Sequence, residues 1–480
     1  MAKKDEKGVT VKKDENFSEW YTQTIQKAEL MEYTQVSGCM VIRPYAYEMW
    51  EKAQEFFNKE IKKTGVKNAY FPLLIPENLL NREKEHVKGF SPEVAWVTHG
   101  GNSKLAERLA IRPTSETIMY DTYKKWVRSY NDLPILINQW CNIIRWEFKH
   151  PVPFLRTREF LWQEGHTVHA TEKEMNKEVK TILNIYTKLF EKLYAIPVLK
   201  GIKSEKEKFA GANYTTSVEM FFPDGKAIQG ATSHGLGQNF SKSFEITFLD
   251  ENEKKQYPWQ TSWGFSTRSL GILFGIHGDN KGLVLPPKIA PIKIVIVPII
   301  FENTKDKVLK KARELKKTLN RFSTELDERD NYSPGWKFHQ WEMKGVPLRI
   351  ELGPRDLENK QVMIARRDTG AKEAVKFKDV KKRAKELLDE IQTNLFLKAK
   401  KQLDDSIVKT DDFDAMKSVI NAKKIAFVPW CGGVECEDWI KDKSGGAKSL
   451  NIPLGQKKPN KKCVYCDKKA KHYAYFAKSY

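Results

Sequence analysis

Apolar residues recur at helical spacing between residues 46 and 61, and charged residues fill the intervening positions. The apolar members are Ala46, Met49, Trp50, Ala53, Phe56, Phe57 and Ile61. Gly65 follows the last of them, at the kind of position where glycine often ends a helix. The short apolar segment 68–74, which contains Pro72, is predicted to be a strand. The pattern therefore predicts a helix, a turn and a strand in succession.

Further apolar runs predict the rest of a large first domain. The strand-like segments are 135–139, 160–168 and 244–248, and the helical segments are 115–130 and 171–194. This mixture is typical of an α/β or α+β domain, which we expect to cover residues 16–285. Residues 1–15 are mostly charged, and we expect them to form a flexible, solvated tail.

A second domain is predicted after three prolines that lie between residues 286 and 291, because proline restricts the backbone and often marks a linker. A buried-type strand at 292–300, a helix at 305–322 and a strand at 348–351 follow. Their alternation predicts a compact α/β domain with parallel strands over residues 286–397.

The remaining residues, 398–480, contain four of the six cysteines in the chain. The four are Cys431, Cys436, Cys463 and Cys466, in the order C-x4-C and C-x2-C. Close thiol pairs that a fold brings together suit a tetrahedral Zn²⁺ ion, so we predict a structural zinc site rather than disulfides. Cys39 and Cys141 stand apart and are predicted to be small buried side chains rather than reactive thiols.

The charge balance leaves two interpretations open. The chain of 480 residues has a formal net charge of +21, which suits a polyanionic partner but is also found in merely basic proteins. No apolar run reaches the roughly 18 residues of a membrane span, and the charged start lacks a secretory signal. We therefore expect an intracellular, cytoplasmic protein with no membrane partner.

Candidate chemistry is concentrated in segment 142–168, where two apolar runs flank a loop rich in Arg, Lys and Pro. This pattern predicts a hairpin that presents cations at its turn. Arg145, Arg156 and Arg158 could clamp a triphosphate, because guanidinium groups make paired contacts with phosphate oxygens. Glu147 could accept a hydrogen bond from an adenine amino group. A charged, solvated hairpin with no ligand is the alternative.

Three segments, taken in order, resemble the three motifs of class II aminoacyl-tRNA synthetases, in the form used by the prolyl-tRNA synthetases. Segment 65–72 with the preceding helix resembles motif 1, 142–168 resembles motif 2, and 263–274 resembles motif 3. Thr267-Arg268 stands where the class pattern has Glu-Arg, which is similar to the prolyl subtype. The resemblance covers nearly the whole chain and is nearest to the archaeal and eukaryotic type.

The resemblance implies the substrate sites residue by residue. The proline-binding residues it implies are Thr114, Glu116, Arg145, Trp162, Glu164, His166, His234 and Ser266. The ATP-binding residues it implies are Arg145, Glu147, Arg156, Thr157, Phe160, Gln229, Thr232 and Arg268. Arg145, Arg156 and Arg268, with Mg²⁺, would be the catalytic groups, because they would stabilise charge on the phosphates. His234 is expected to bind substrate rather than act as a general base.

The same resemblance implies a fold and an activity. We expect a catalytic domain with an antiparallel sheet over 16–285, an anticodon-binding domain over 286–397 and a zinc-binding α/β domain over 398–480. Such an enzyme would form prolyl-adenylate from L-proline and ATP and transfer proline to the 3′ end of tRNA(Pro), releasing AMP and pyrophosphate. Glu351 and Arg355 would approach the anticodon bases.

Further expectations follow from the same family. Motif 1 forms a homodimer interface in this class, and the terminal Tyr480 would fold back toward the active site. Motifs 2 and 3 lie close together in the sequence, so we expect no inserted editing domain between them.

Three alternatives compete with this interpretation. A related class II synthetase for threonine, glycine or histidine would share the motifs, although Thr114 to Glu116 with Trp162 and His166 favours proline. A non-catalytic tRNA-binding paralogue would keep the fold but lose its phosphate-binding arginines, which are present here. A generic zinc-dependent nucleic-acid-binding protein would leave the three motifs unexplained.

Overall fold

The computed structural model describes residues 8–86, 93–147 and 150–480. Its first elements are helix α1 (Phe17–Lys27), the hairpin strands β1 (Met31–Tyr33) and β2 (Met40–Ile42), and helix α2 (Pro44–Lys62). Helix α2 confirms the predicted amphipathic helix, since its buried face includes Trp50 and Phe57. The backbone then turns at Gly65 with a φ of +91°, a conformation that favours glycine.

The predicted strand at 68–74 is wrong in its extent. It divides into the short strands β3 (Lys67–Asn68) and β4 (Leu74–Pro76), and Pro72 between them has no N–H to give to a sheet. After β4 come helix α3 (Glu77–His86), the hairpin strands β5 (Trp96–Gly100) and β6 (Ser103–Ile111), and helix α4 (Glu116–Trp126).

A large sheet forms the centre of the first domain. Its later elements are β7 (Ile135–Ile144), β8 (Glu159–His169), α5 (Glu172–Lys188), β9 (Leu199–Ile202), β10 (Tyr214–Phe221), β11 (Lys226–Gly237), α6 (Asn239–Ser243), β12 (Phe248–Leu249), β13 (Lys255–Gln256), β14 (Trp259–Ser266) and α7 (Arg268–His277). The strand order is β3-β7-β8-β14-β11-β10-β9, and only the β3–β7 pairing in this series is parallel. The predicted antiparallel sheet and the β7–β8 hairpin are therefore confirmed.

The predicted strand at 244–248 is wrong. Helix α6 ends at Ser243, and Glu245 has a φ of +54°, so only Phe248 of this segment belongs to a strand. The apolar side chains that suggested a strand, Phe244 and Ile246, instead fill a core cluster beside α4 and α6. Residues 170–258, all of them described, add helices α5 and α6 and the sheet strands β9, β10 and β11 to the same domain and form no separate inserted domain.

The main core lies between the sheet and the helices α1, α2, α5 and α7. Aromatic rings dominate it: Phe57 stacks on Tyr186 at 5.2 Å and meets Phe265 edge-on at 5.0 Å. Trp263 extends over Gly165 on the neighbouring strand, where an added Cβ would lie 2.2 Å from the indole. This close packing fixes β8 against β14, the two strands whose opposite face carries the candidate site.

The second domain is an α/β unit, as predicted, with a mixed sheet. Its elements are β15 (Ile294–Pro298), α8 (Lys305–Leu319), β16 (Thr324–Leu326), α9 (Pro334–Met343), β17 (Leu348–Leu352), α10 (Pro354–Glu358), β18 (Gln361–Arg366), β19 (Lys372–Lys376) and the long helix α11 (Val380–Ser406). Strands β16, β15 and β17 are parallel, as predicted, whereas β18 and β19 extend the sheet antiparallel. Helix α11 runs without a break across the predicted boundary between residues 397 and 398.

The C-terminal region joins its own strands to the central sheet. It contains β20 (Ile407–Lys409), α12 (Phe413–Asn421), β21 (Ile425–Trp430), α13 (Val434–Lys443), β22 (Lys448–Ser449), β23 (Ile452–Pro453) and β24 (His472–Ser479). Strand β24 pairs with β21 and β22, and its last residues pair in parallel with the start of β11, with Lys478 opposite Lys226 and Ser479 opposite Ala227. The last strand of the chain therefore touches a strand of the candidate site.

The N-terminal segment differs from the predicted solvated tail over residues 8–15. Thr10 donates its backbone N–H to Gln23 Oε1 at 2.8 Å, and the Lys13 ammonium donates to the carbonyl oxygens of Ile276 and Gly278 at 3.0 and 2.7 Å. These residues are therefore held against the catalytic domain, and residues 1–7 lie outside the described part of the chain. A search of the described helices for one able to span a membrane finds none.

Candidate active site, anticodon-domain cavity and metal centre

The candidate active site lies on one face of the central sheet, where three strands present alternate side chains. They are Trp162 and His166 of β8, Thr232 and His234 of β11, and Ser262 and Ser266 of β14. The register places Ser262 opposite both His166 and His234, and Ser266 opposite Trp162. Because residues two apart on a strand point to the same face, these side chains line one pocket of about 310 Å³, the active-site pocket.

One end of the active-site pocket carries a buried carboxylate. Glu116 is the first residue of α4 and is only 4% exposed. It accepts a hydrogen bond from the Thr114 hydroxyl, and both residues line the pocket. An ionised carboxylate has room for several donors, so Glu116 can still accept hydrogen bonds from a cationic group in the pocket.

Behind this end, Glu164 and His166 form a buried ion pair with 3.1 Å between Oε2 and Nε2. Burial opposes ionisation of Glu164, but hydrogen bonds from His166, Ser115 and Gln139 hold its pKa below the ordinary value. Burial also disfavours the charged imidazole, but Glu164 raises the pKa of His166 above the ordinary value. Tyr120 meets the other ring nitrogen, Nδ1, at 3.0 Å. The pair therefore fixes the start of α4 against β8.

His234, on the opposite side of the pocket, is uncharged. Burial and the nearby charge of His166 lower the pKa of His234 to about 3. Its Nδ1 lies 2.9 Å from the Thr215 hydroxyl, and its ring packs against Phe209 with 4.8 Å between ring centroids. A neutral imidazole held in this way contributes shape and a hydrogen bond, and it is too weak a base to take a proton at neutral pH.

Arg145 follows the end of β7 and reaches into the pocket. Its Nε donates to the Pro113 carbonyl oxygen at 3.1 Å, and its guanidinium lies 5.7 Å from the Phe160 ring and 5.6 Å from the Trp162 ring. Burial lowers the pKa of Arg145, while Glu147, Glu116 and Glu164 act in the opposite direction. The guanidinium is thus placed between the acidic end and the aromatic wall.

Arg268 is the first residue of α7 and lines both the active-site pocket and a second cavity beside it. Its Nε donates to the Leu155 carbonyl oxygen at 3.0 Å. Burial and the like charges of Arg145 and Arg156 lower the pKa of Arg268 to about 10, which leaves it protonated at neutral pH. Arg145 and Arg156 act on Arg268 from the linings of the same two cavities, and such a cluster of cations is stabilised by an anionic ligand.

A second, smaller cavity of about 200 Å³ adjoins the pocket and is called here the side cavity. It shares Gln229, Arg268 and Glu207 with the active-site pocket and adds Arg156. Tyr480 also lines it, because the Tyr480 backbone N–H donates to the Ala227 carbonyl oxygen at 2.9 Å. The end of the chain therefore lies beside the arginine cluster, as the family resemblance implies.

Most of the residues implied by the resemblance are brought together. Those that line the active-site pocket are Thr114, Glu116, Arg145, Phe160, Trp162, His166, Gln229, Thr232, His234, Ser266 and Arg268, and Arg156 lines the side cavity. They come from six separate parts of the chain, so the convergence is a property of the fold.

Three implied residues line neither the active-site pocket nor the side cavity. Glu164 lies behind the wall, where its carboxylate is occupied by Ser115, Gln139 and His166, so it supports the pocket instead of meeting a substrate. Thr157 is 4% exposed and lines neither cavity. Glu147 is exposed near the motif 2 loop, where its charge still acts on Arg145 and Arg268.

The structure adds pocket residues that the sequence did not reveal. Glu207, Phe209 and Thr215 line the pocket, and the first two come from the loop between β9 and β10. That loop is rich in lysine and glutamate and has the composition of a solvated surface segment. The loop carries no periodic or motif signal, so only its folding over β10 and β11 identifies these residues.

The second domain holds a separate cavity of about 340 Å³, called here the anticodon-domain cavity. Its lining combines aromatic and basic side chains, among them Phe338, Trp341, Lys281, Arg349, Arg366, Arg367 and Lys372. The Arg349 guanidinium stacks over Phe338 at 4.2 Å. Aromatic faces beside cations are typical of sites that bind unpaired nucleotides.

The two residues expected to approach anticodon bases occupy different environments. Glu351 is 7% exposed and its carboxylate is bound by Arg349 at 2.9 Å and by Lys372 at 2.8 Å, so it orients the cations of the anticodon-domain cavity. Arg355 lies exposed on α10 and does not line that cavity. The cavity thus offers Arg349 and Lys372 as contacts that sequence reasoning missed.

The four C-terminal cysteines meet at one point, with their sulfur atoms all within 4.8 Å of one another. Cys436 and Cys463 lie 3.7 Å apart, and Cys431 and Cys466 lie 3.5 Å apart, at Sγ–Sγ distances too long for disulfides. Four thiolates around Zn²⁺ at about 2.3 Å would have neighbouring sulfur atoms about 3.8 Å apart. The donor set and its spacing therefore fit a tetrahedral zinc ion.

Family models match all three domains. The class II tRNA synthetase core domain (G, H, P, S and T) matches residues 96–277, an anticodon binding domain matches 293–387, and the C-terminal domain of prolyl-tRNA synthetase matches 413–480. The core match contains the active-site pocket, and the last match contains the cysteine cluster.

Curated relatives match along the whole chain. The proline–tRNA ligase of Alkaliphilus oremlandii is 53% identical over 97% of this chain and 96% of its own length. Proline–tRNA ligase 2 of Bacillus thuringiensis is 49% identical over the full length of both chains. The bifunctional glutamate/proline–tRNA ligase of Cricetulus griseus is 49% identical over 98% of this chain, which spans 33% of that relative's length. With three matching domains and relatives at this level of identity, the chain belongs to the prolyl-tRNA synthetase family of class II aminoacyl-tRNA synthetases.

Proposed function

We propose that this chain is a proline–tRNA ligase that activates L-proline with ATP in the active-site pocket and transfers it to the 3′ end of tRNA(Pro). The observation that carries the proposal is the convergence of Arg145, Arg156 and Arg268 next to a pocket walled by Trp162 and closed by the Glu116 carboxylate. Family membership indicates the reaction class, and the shape and charge of the pocket favour proline as the substrate.

Proline fits this pocket by its chemistry. The secondary ammonium of proline donates two hydrogen bonds, and the Glu116 carboxylate is the buried acceptor for them. The ring has no polar group, so it is matched by the Trp162 wall and by Phe209, which holds His234 in place. The carboxylate of proline then points toward Arg145, between the acidic end and the arginine cluster.

Adenylate formation follows from this arrangement. A proline carboxylate oxygen attacks the α-phosphorus of ATP, a new O–P bond forms, and the bond to the β-phosphate breaks to release pyrophosphate. Arg145 orients the attacking carboxylate, while Arg156 and Arg268 bind the phosphates and stabilise the developing charge. The flat face of Phe160, whose ring lies 5.7 Å from the Arg145 guanidinium, suits the adenine ring. No protein nucleophile is required.

The second step uses the same bound intermediate. A ribose hydroxyl at the 3′ end of the tRNA attacks the activated carbonyl, an ester forms, and AMP leaves. Neutral His234 does not serve as a base, so the proton of the hydroxyl passes to the phosphate that leaves as AMP.

Mg²⁺ would accompany ATP, and Glu207 and Glu219 of the side cavity are its candidate ligands, because carboxylate oxygens are ligands that Mg²⁺ prefers. Glu219 is paired with Lys203 at 2.7 Å and Glu207 lies 3.8 Å from Lys448, so the ion would take the place of these two cations. When bound, the ion would offset charge on the phosphates. The cysteine cluster would hold a structural Zn²⁺ ion, since four thiolates leave no open position for chemistry.

The tRNA is proposed to meet the chain at two places. Its 3′ end enters the active-site pocket, and its anticodon loop binds the anticodon-domain cavity, where Phe338 offers a stacking face and Arg349 and Lys372 offer donors. The cytoplasm, which supplies tRNA and ATP, is the proposed place of action. A homodimer through the motif 1 region is proposed because Tyr70 and Leu74, just after α2, are 70% and 37% exposed.

Arg145→Ala tests the proposed role of the arginine cluster. We expect proline-dependent exchange of pyrophosphate into ATP to fall at least a hundredfold, because Arg145 aligns the attacking carboxylate. The control is Arg128→Ala, which removes an exposed guanidinium at the end of α4 and should leave exchange unchanged. Unfolding curves and zinc content should be the same for all three proteins. Full exchange activity in Arg145→Ala would contradict the role.

A further inference from the structure

The turn after helix α7 forms a bidentate ion pair with the second domain. The Asp279 carboxylate accepts hydrogen bonds from Arg367 Nη1 at 2.7 Å and from Nη2 at 2.6 Å. Arg367 Nε donates to the Glu342 carbonyl oxygen at 2.9 Å. The Arg367 side chain is 5% exposed and that of Asp279 is 43% exposed. Arg367 is therefore held in one orientation by a carboxylate of the catalytic domain and a carbonyl of its own domain.

The same turn forms part of the anticodon-domain cavity. Lys281, two residues after Asp279, lines the cavity together with Arg367 and Arg366. The turn is also joined to the end of α9, because Leu283 donates its backbone N–H to the Met343 carbonyl oxygen at 3.0 Å. The cavity thus takes its walls from both domains, and an Arg367 guanidinium fixed from the catalytic side forms part of its lining.

The backbone of this turn is anchored independently of Arg367. The Lys13 ammonium donates to carbonyl oxygens at the end of α7, and the Trp20 indole donates to the Asp279 carbonyl oxygen at 2.9 Å. A cation at a helix C-terminus is favourable because it meets unpaired carbonyl groups. Removing the charge of the Asp279 side chain should consequently release Arg367 without displacing α7.

We propose that Asp279 is a positioning residue for tRNA recognition, acting through Arg367. Its carboxylate holds the guanidinium plane in the orientation that meets an anticodon nucleotide in the anticodon-domain cavity. This inference rests on the proposed function. It follows from the planarity of the guanidinium group: with Nη1 and Nη2 held by Asp279 and Nε held by the Glu342 carbonyl oxygen, the remaining N–H groups and the flat face have a fixed direction toward the cavity. An asparagine at position 279 could accept only one of the two Nη hydrogen bonds, through its amide oxygen, and would lose the charge attraction, so the guanidinium plane would be held less firmly.

The test compares Asp279→Asn and Asp279→Glu with the unmodified chain. Asparagine keeps the size of the side chain but removes its charge, whereas glutamate keeps the charge. We expect Asp279→Asn to raise KM for a tRNA(Pro) transcript about tenfold, as for the loss of a hydrogen-bonded charge pair. Proline-dependent pyrophosphate exchange, which needs no tRNA, should be unchanged. Asp279→Glu should restore most of the affinity for the transcript.

Two further measurements separate positioning from a merely structural role. A transcript with two anticodon bases exchanged should be charged more slowly by the unmodified chain, and Asp279→Asn should lose part of this discrimination. The control Asp438→Asn breaks another contact between domains, the ion pair with Lys206. It should change neither the KM for the tRNA(Pro) transcript nor the discrimination against the altered anticodon.

An unchanged KM for the transcript in Asp279→Asn, or an equal loss in exchange and in charging, would overturn the positioning role. Absence of proline-dependent exchange in the unmodified chain would instead remove the proposed function on which the inference rests.

Discussion

At the scale of single residues, the site depends on groups whose charge is set by burial and by one or two neighbours. Glu164 stays ionised because His166 and two further donors meet it, and His234 stays neutral because it is buried next to that charged histidine. Neither state is visible in the sequence, where both residues are merely members of a motif. The pocket can therefore offer the Glu116 carboxylate to a cationic substrate without competition from Glu164.

Glu178, on the buried face of α5, is a carboxylate that lacks such support. Burial raises the pKa of Glu178 to about 7, and its Oε1 has no hydrogen-bond partner among the described residues. The folded chain therefore binds a proton on Glu178 between about pH 4.5 and 7 that the unfolded chain releases. The free energy of unfolding should fall as pH rises through this window, and the whole destabilisation should be present at pH 8.

Glu178→Gln should consequently stabilise the chain at pH 8 by about 1–3 kcal/mol, since a neutral side chain carries no charge to bury. At pH 4, where the carboxyl is protonated in both states, the change should have little effect. Glu172→Gln, at an exposed position of the same helix, is the control. Urea unfolding at both pH values measures the effect. Equal stability of Glu178→Gln and the unmodified chain at pH 8 would show that ionisation of Glu178 does not lower the free energy of unfolding.

At the scale of secondary-structure elements, strand β24 connects the zinc region to the active site. It pairs with β21, whose end carries Cys431, and its last residues pair with β11, which carries Gln229, Thr232 and His234. A metal ion that holds the C-terminal region together should therefore also support the wall of the pocket.

Cys463→Ser tests this connection. We expect loss of bound zinc, a lower melting temperature and a several-fold higher KM for ATP, because a structural zinc site contributes directly to folding and β24 would lose its support. Cys39→Ser, at a cysteine outside the cluster, should change none of the three. Metal analysis, thermal unfolding and exchange kinetics provide the measurements. Unchanged KM for ATP in a zinc-free Cys463→Ser variant would separate the zinc region from the active site.

Sequence periodicity predicted the elements with long, regular apolar patterns. It failed where local packing contacts determine the backbone structure. Helix α2 and the β7–β8 hairpin were predictable because their apolar residues repeat over many positions. The strand expected at 244–248 was not, since Phe244 and Ile246 fill a core from a turn instead of a strand. In the site, motif order identified Trp162, but only the fold shows that Phe209 lines the same pocket.

At the scale of the whole molecule, the two proposed binding sites lie in different domains, and helix α7 runs from one toward the other. Arg268 begins this helix at the active-site pocket, and Asp279 follows its end at the anticodon-domain cavity. The 10-residue helix spans about 15 Å, so the two ends are linked by one rigid element. This arrangement suits an enzyme that must read a tRNA in one domain and charge it in another.

Whether the active-site pocket selects proline is tested most directly by pyrophosphate exchange measured with each of the twenty amino acids. The chain should exchange pyrophosphate into ATP strongly with L-proline and near background with threonine, glycine and histidine. Strong exchange with threonine and none with proline would contradict the account.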